Sequence, residues 1–334
     1  MEFIGLDIHR HYTWAARMEP SGALIESRRL ANDELVGFIQ TLPERPSVAF
    51  EATSNWYHIY ELLEPWVAEL ALSHPLKTRI IAETKMKTDK VDAKTLADLL
   101  RIDYLPRSYI APAPVRELRE LLRLRISLVR LRTSARNRTH AVLIKRGLTP
   151  PVKNVFGKKG RAWLATLELP EAYSLAITSY LELLDSLAGL IARVNGRINE
   201  RAGASEEAGW LDSMPGVGPF TALLVLAEIG DIWRFPDAAH LCSYAGLVPS
   251  VYSSGGRTRY GPLTKQGSAY LRWVLVQAAN SAIRVRGPLK NRYDRLRQRK
   301  PHQTAIVDLA RYMLGCVYAM LTERRAFRVH PRGS

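Results

Sequence analysis

Lys87-Thr88-Asp89-Lys90-Val91-Asp92-Ala93-Lys94 is the stretch on which the reading of this chain turns. Residues 91–100 carry helical patterning. At about 100° per residue, Asp89 and Asp92 stand about 60° apart, on one face. Lysines at 87, 90 and 94 flank them. Two carboxylates on one helix face can hold a hard divalent cation, and nearby lysines can hold phosphates. An isolated Asp-x-x-Asp is more often a plain helix start, with Asp89 as N-cap and Asp92 as a favourable first-turn acid. The residues upstream weigh against that simpler reading.

Residues 3–9, Phe-Ile-Gly-Leu-Asp-Ile-His, are nearly continuously apolar around Asp7. Such a run suits a strand covered on both faces, where a lone carboxylate is costly unless paired or on a metal. Residues 13–18 and 23–28 read as two more strands, joined by the turn Pro20-Ser21-Gly22. Asn32 is expected to cap a helix over 33–41. Residues 47–50 form a short buried strand ending in Glu51. A helix over 56–63, a strand over 67–72 stopped by His74-Pro75, and a polar loop over 77–87 complete the approach to the Asp-x-x-Asp helix. The acids thus fall in the first strand, at the end of the fourth, and at the head of the last helix. Alone, Asp7 fits a turn misread as a strand, and Glu51 a helix-start acid. Together, in this order, they fit an α/β domain of the RNase H/RuvC-like kind. There the first and fourth strands lie side by side and the helix brings its acids over their ends. Asp7, Glu51, Asp89 and Asp92 would then hold two Mg²⁺ ions, with Mn²⁺ able to substitute, clamping the attacking and leaving oxygens of a phosphodiester.

The 334 residues allow two or three domains, and 47% hydrophobic content supports real cores. A net charge of +16 and a pI near 10.0 call for a polyanionic partner, nucleic acid by default. Neither an 18-residue apolar run nor a secretory leader is evident, so no membrane partner is expected. Cys242 and Cys316, far apart, suit a reducing cytoplasm and argue against a zinc or disulfide framework.

From Pro114 the character changes. Leu121, Leu124, Leu128, Leu131 and Ala135 make one heptad seam. Tyr173, Ile177, Tyr180, Leu184, Leu187, Ile191, Val194 and Ile198 make a second. Two long helices, paired as an antiparallel hairpin or between subunits, are expected over 113–205. The first is rich in arginine. Arg123, Arg130 and Arg136 are expected to form a phosphate-binding stripe, with Lys158 and Lys159 in the basic stretch that follows. Residues 206–326 form a third, mainly α segment. Pro215-Gly216-Val217-Gly218-Pro219 is similar to the hairpin of a helix-hairpin-helix, where Gly216 and Gly218 would let backbone N–H groups approach a phosphate. Further along lie Ser253-Ser254-Gly255-Gly256-Arg257, Lys265-Gln266-Gly267 and Leu271-Arg272, so Arg257, Lys265 and Arg272 join the candidate nucleic-acid contacts.

These residues carry a resemblance. Gly5-Leu6-Asp7, Phe50-Glu51-Ala52 and Lys87…Ala93 at one end resemble the IS110-type DEDD transposases, a family that includes Piv-like DNA invertases. So do Pro215…Pro219, Ala245-Gly246-Leu247-Val248-Pro249, Ser254-Gly255-Gly256 and Lys265…Gly267…Leu271-Arg272 at the other. His9-Arg10 departs from the small residue and lysine expected after the first acid. The resemblance implies a RuvC-like DEDD domain over 1–112, a coiled-coil linker over 113–205 and a C-terminal transposase domain over 206–326. It implies Mg²⁺, dimers and tetramers, a structured bridge RNA pairing with donor and target DNA, and action in a bacterial or archaeal cytoplasm at the nucleoid. It also implies that Ser254 is the covalent nucleophile, serving a RuvC site of another subunit; without the resemblance, Ser-Ser-Gly-Gly reads as a flexible turn. Two other function classes fit parts of the chain. A RuvC-like nuclease of the Holliday-junction resolvase kind would leave residues 205–325 without a role. A non-catalytic nucleic-acid-binding protein would have no use for four intact acids.

Overall fold

A computed structural model of the chain describes residues 1–52, 55–81, 88–254 and 257–328, without the side chains of 254, 257, 258 and 260. Lys87, Gly255 and Gly256 lie outside the described residues, as do the side chains of Ser254 and Arg257. The chain divides into two compact units, Met1–Ile110 and Ala111–Ser334.

The first unit runs β1 (Phe3–Ile8), β2 (Tyr12–Met18), β3 (Leu24–Ala31), α1 (Leu35–Gln40), β4 (Ser47–Glu51), α2 (Trp56–Leu63), β5 (Glu69–Ser73), α3 (Pro75–Ile81) and α4 (Asp89–Arg101). The sheet order is β3-β2-β1-β4-β5. β1 pairs antiparallel with β2 and parallel with β4, so the first and fourth strands are neighbours. Two local expectations change, and the simpler reading of Asp89 as a cap falls. Asn32 does not cap α1; it lies in a 3-10 turn, accepts from Thr13 Oγ1 and donates to the carbonyls of His9 and Arg10. Residues 77–81 are helical, because Pro75 starts α3 with its preset φ. Asp89 is not the N-cap of α4: Thr88 is, its hydroxyl accepting from the Val91 amide.

Strand alternation sorts the sheet into two unlike faces. Ile4, Leu6, Ile8, Val48, Phe50 and Leu72 pack with Leu35, Phe38, Ile39, Ile59 and Leu63 of α1 and α2. The opposite face carries small residues, Gly5, Ala49 and Ala71, and receives α4 through Leu96, Leu99 and Leu100. The approach is tightest at Gly5, where an added Cβ would stand 1.9 Å from the Ala93 carbonyl oxygen and 2.6 Å from the Ala97 nitrogen. Only glycine on the strand, facing alanines four residues apart on the helix, lets the two backbones come this close.

The second unit contains α5 (Ala113–Lys145), α6 (Lys158–Ala165), α7 (Glu171–Gly203), α8 (Glu206–Asp212), α9 (Pro219–Ile229), α10 (Ala238–Tyr244), β6 (Pro249–Ser254), β7 (Arg257–Leu263), α11 (Ala269–Ala282), α12 (Pro288–Arg297) and α13 (His302–Thr322). The long helices α5 and α7 pair antiparallel. Leu143 meets Ile177, Leu128 meets Leu187 and Ile191, and Leu122 and Ile126 join Ile198 in the core of the remaining helices. On α7, Ile177, Leu184, Leu187, Ile191 and Ile198 of the expected seam are buried, whereas Tyr173, Tyr180 and Val194 are half-buried. On α5, Leu124 and Leu131 are 48% and 54% exposed, and the inward face is carried by Leu122, Ile126, Leu128, Ala135 and Leu143. The difference is a small rotation: an arginine-dense helix offers two overlapping apolar rows, and packing selects the other one. Both α7 and α13 are long and apolar enough to cross a membrane, which the short apolar runs did not suggest. α13 is a core helix, with Leu309, Met313, Leu314 and Val317 buried. β6 and β7 pair antiparallel, with Ser254 opposite Arg257, where a loop was expected over 253–257.

Gly5→Ala should force α4 off the sheet and cost roughly 3 kcal/mol or more in denaturant unfolding of the full chain. Gly37→Ala is the control: its Cβ meets nothing within 4 Å, and the substitution should be neutral or slightly stabilising. A wild-type midpoint for Gly5→Ala would show that the strand–helix approach is looser than described.

Candidate metal centre

Asp7 is the last residue but one of β1, two positions beyond Gly5, and therefore on the α4 side of the sheet. The parallel ladder pairs Leu6 with Phe50, so the next residues along the two strands are Asp7 and Glu51, on that same side. Both lie at the carboxyl ends of neighbouring parallel strands, where open α/β sheets commonly bind ligands. The capped first turn of α4 carries Asp89 and Asp92. Because α4 is held at Gly5 through Ala93 and Ala97, its N-terminus lies over this edge.

The side chains converge. His9 Nε2 lies 3.2 Å from Asp7 Oδ2 and 3.2 Å from Asp89 Oδ2. Tyr12 donates its hydroxyl to Asp89 Oδ2 at 3.1 Å, and its ring stacks on His9 with centroids 4.6 Å apart. The Arg29 guanidinium covers the Tyr12 ring at 3.8 Å. Asp7 is mostly buried, with its side chain 16% exposed, whereas His9 and Asp89 are about 40% exposed. Burial pushes the Asp7 carboxyl above its ordinary range. His9 opposes that rise, and the charges of Asp89 and Asp92 add to it. The hydrogen bond to Asp89 likewise raises the Tyr12 hydroxyl.

Among the described residues, Asp7, His9 and Asp89 form the one group whose donor atoms all lie within 4.8 Å of one another. Ions of this class take ligands at about 2.0–2.2 Å, so adjacent donors of an octahedral ion stand about 3 Å apart. The 3.2 Å spacings match that edge, and a crowded, mostly buried carboxylate such as Asp7 is the group a cation stabilises. The donor set therefore fits a divalent metal. Of the four expected acids, Asp7 and Asp89 converge on His9, with donor atoms within 4.8 Å of one another. Glu51 is placed beside them by strand register, and Asp92 by its three-residue helical spacing. His9 is the addition. The available signal was its position two residues after Asp7, which puts both on one side of an extended chain.

The basic residues divide into inward and outward sets. The sequence places Arg123 in a phosphate stripe. Instead it faces the buried Glu228 at 3.4 Å and the Tyr270 ring at 5.1 Å, while Ser268 donates to the other Glu228 oxygen at 2.8 Å. Gly216, with φ +88°, packs against α11: a Cβ there would stand 2.3 Å from the Ala278 carbonyl oxygen, so close packing explains this glycine. Arg272 donates to the Ala245 carbonyl at 3.0 Å, beside the interlocked turns of Gly246 and Gly267. Gly218, at the start of α9, faces open space, and Lys158, Lys159 and Lys265 are exposed. Arg130 lines a groove of about 730 Å³ along α5 with Arg125, Arg138 and Trp273. Arg136 points elsewhere and covers Phe156.

Two family models match this chain. A transposase model of the IS110 DEDD type matches residues 4–145, and a model for the transposase IS116/IS110/IS902 family matches residues 208–294. A probable family 20 transposase of Pseudomonas aeruginosa is 26% identical over 97% of this chain and 98% of its own. The transposase for insertion sequence element IS1111A of Coxiella burnetii is 25% identical over 98% of this chain and 92% of its own. A pilin gene-inverting protein of Moraxella bovis is 30% identical over 48% of this chain and 53% of its own. Two models covering the acid-bearing sheet and the Pro-Gly-Val-Gly segment, with relatives of near full length, place the chain in one family: it belongs to the IS110-type DEDD transposases.

Proposed function

We propose that this DNA transposase cuts and rejoins donor and target DNA at a DEDD centre made of Asp7, Glu51, Asp89 and Asp92, with Ser254 as nucleophile. The observation that carries the reading is the convergence of Asp7 and Asp89 at the edge shared by β1 and β4. The four acids would hold Mg²⁺, which supplies charge stabilisation at the phosphate and acidifies a hydroxyl. Asp7 and Asp89 are held ready for it by the sheet and by the capped helix.

Rejoining without ATP requires that the phosphodiester energy be conserved. Attack of the Ser254 hydroxyl on the scissile phosphorus forms a phosphoserine and releases one DNA hydroxyl. Attack by the hydroxyl of the second strand reforms a phosphodiester and frees the serine. The place of Ser254 in the chain supports this role, since it ends β6 and is followed in sequence by two glycines, which allow close backbone approach to a phosphate. The Met1–Ile110 unit is read as an RNase H/RuvC-like domain, and the α5–α7 pair as a coiled-coil linker in a dimeric or tetrameric assembly. A structured bridge RNA is the proposed guide, in the bacterial or archaeal cytoplasm and without a membrane partner. The outward cations Arg130, Arg136, Lys158, Lys159 and Lys265 supply nonspecific affinity for both nucleic acids.

The test is a cleavage assay on DNA matched to the RNA that copurifies with the protein. Wild type should give joined products and a protein-linked strand in Mg²⁺. Asp7→Ala should lower cleavage about a hundredfold or more while leaving binding largely intact. Ser254→Ala should abolish the adduct, whereas Ser253→Ala should retain it. Hydroxyl-ended nicks with no adduct would instead mark a water-using nuclease, and no cleavage at all a binding protein. Separately, replacing Arg130 and Arg138 by glutamine should flatten the slope of log affinity against log salt by about 1–2. Arg123→Gln should leave that slope alone and lower stability by roughly 2 kcal/mol, because Glu228 loses its buried partner.

A further inference from the structure

The imidazole of His9 faces both carboxylates of the acid pair, and its backbone is fixed for that placement. The His9 amide donates to the Tyr12 carbonyl at 2.9 Å. The His9 carbonyl accepts from Asn32 Nδ2 at 3.0 Å and from Asn55 Nδ2 at 3.3 Å. The ring stacks on Tyr12 at an interplanar angle of 25°. Three backbone hydrogen bonds and one stacking contact hold the residue so that Nε2 points at the space between Asp7 and Asp89.

We propose that His9 is a direct ligand of the divalent ion held by Asp7 and Asp89, and that it biases the site toward Mn²⁺ and Co²⁺ over Mg²⁺. The inference rests on the metal reading of the acid cluster. Its geometric basis is that Nε2 is 3.2 Å from each carboxylate oxygen, the spacing of adjacent ligands around one ion. Its chemical basis is donor softness. Mg²⁺ takes oxygen and keeps its waters, whereas an imidazole nitrogen gains more from first-row transition ions, increasingly from Mn²⁺ to Co²⁺. An all-oxygen set such as Asp7, Glu51, Asp89 and Asp92 discriminates little between Mg²⁺ and Mn²⁺. One nitrogen in place of an oxygen or a water shifts the balance. The competing arrangement has the imidazole merely bridging the two acids and swinging out when metal enters, which would break its stack on Tyr12.

The full-length protein is loaded with Mn²⁺, and nitrogen coupling to the ion is measured by pulsed electron paramagnetic resonance. Calorimetric titrations with Mg²⁺, Mn²⁺ and Co²⁺ then compare wild type, His9→Gln and Asp7→Ala. Wild type should show ¹⁴N coupling that His9→Gln lacks. The ratio of Mg²⁺ to Mn²⁺ dissociation constants should fall about tenfold or more in His9→Gln, through weaker Mn²⁺ binding. Metal-free melting of His9→Gln controls for folding, and the wild-type spectrum decides ligation without any variant. Absence of nitrogen coupling in Mn²⁺-loaded wild type, or an unchanged ratio, overturns the proposal while the acids still bind metal. Undiminished Mn²⁺ binding by Asp7→Ala overturns the metal reading itself and this inference with it.

Discussion

The close approach of α4 to β1 at Gly5 is the constraint on which the candidate site depends. A strand and a helix normally keep a side-chain layer between them. Here the layer is absent at one point, and the helix backbone rests on the strand. That contact fixes the position of α4 along the strand. Asp89 is four residues before Ala93 on the helix, and Asp7 is two residues beyond Gly5 on the strand, so fixing one contact fixes the other pair. Ala49 and Ala71 extend the small-residue surface across β4 and β5, while the bulky face of the same strands anchors the sheet on α1 and α2.

The second unit shows a different use of charge. Arg116, Arg119 and Arg123 come from the helix richest in arginine, yet none serves an open surface. Arg116 donates to the Ala111 carbonyl and Arg119 to the Ala227 carbonyl, both nearly buried. Arg123 stands opposite Glu228. Guanidinium groups can cap carbonyls and pair with a carboxylate inside a core because their donors fork in a plane. Other arginines of α5, Arg130 and Arg138 among them, line an open groove with Trp273. Net charge therefore identifies a polyanion partner without saying which arginines meet it.

Much of the sheet unit was legible because its signals are local. Continuous apolar runs marked β1 and β4, and helical spacing put Asp89 and Asp92 on one face. The order of elements then implied that β1 and β4 are neighbours. Long-range choices were not legible. Nothing local distinguishes Thr88 from Asp89 as the cap, since both are good capping residues. The face of α5 that turns inward depends on α7 and the core beyond it, so Leu124 and Leu131 looked like seam residues. Gly216 looked like a phosphate-approach glycine because the same absence of a side chain also permits contact with α11. His9 went unweighted because an imidazole beside an acid acquires meaning only when a second acid, 80 residues later in the chain, arrives opposite it.

The most direct test of the central claim is anomalous diffraction from crystals of the full-length protein grown with Mn²⁺, collected near the manganese edge. The account predicts an anomalous peak bounded by the carboxylates of Asp7 and Asp89 at the carboxyl ends of β1 and β4, at about 2.2 Å from their oxygens. Manganese bound elsewhere with none at this edge, in crystals where α4 still lies on Gly5, would contradict it.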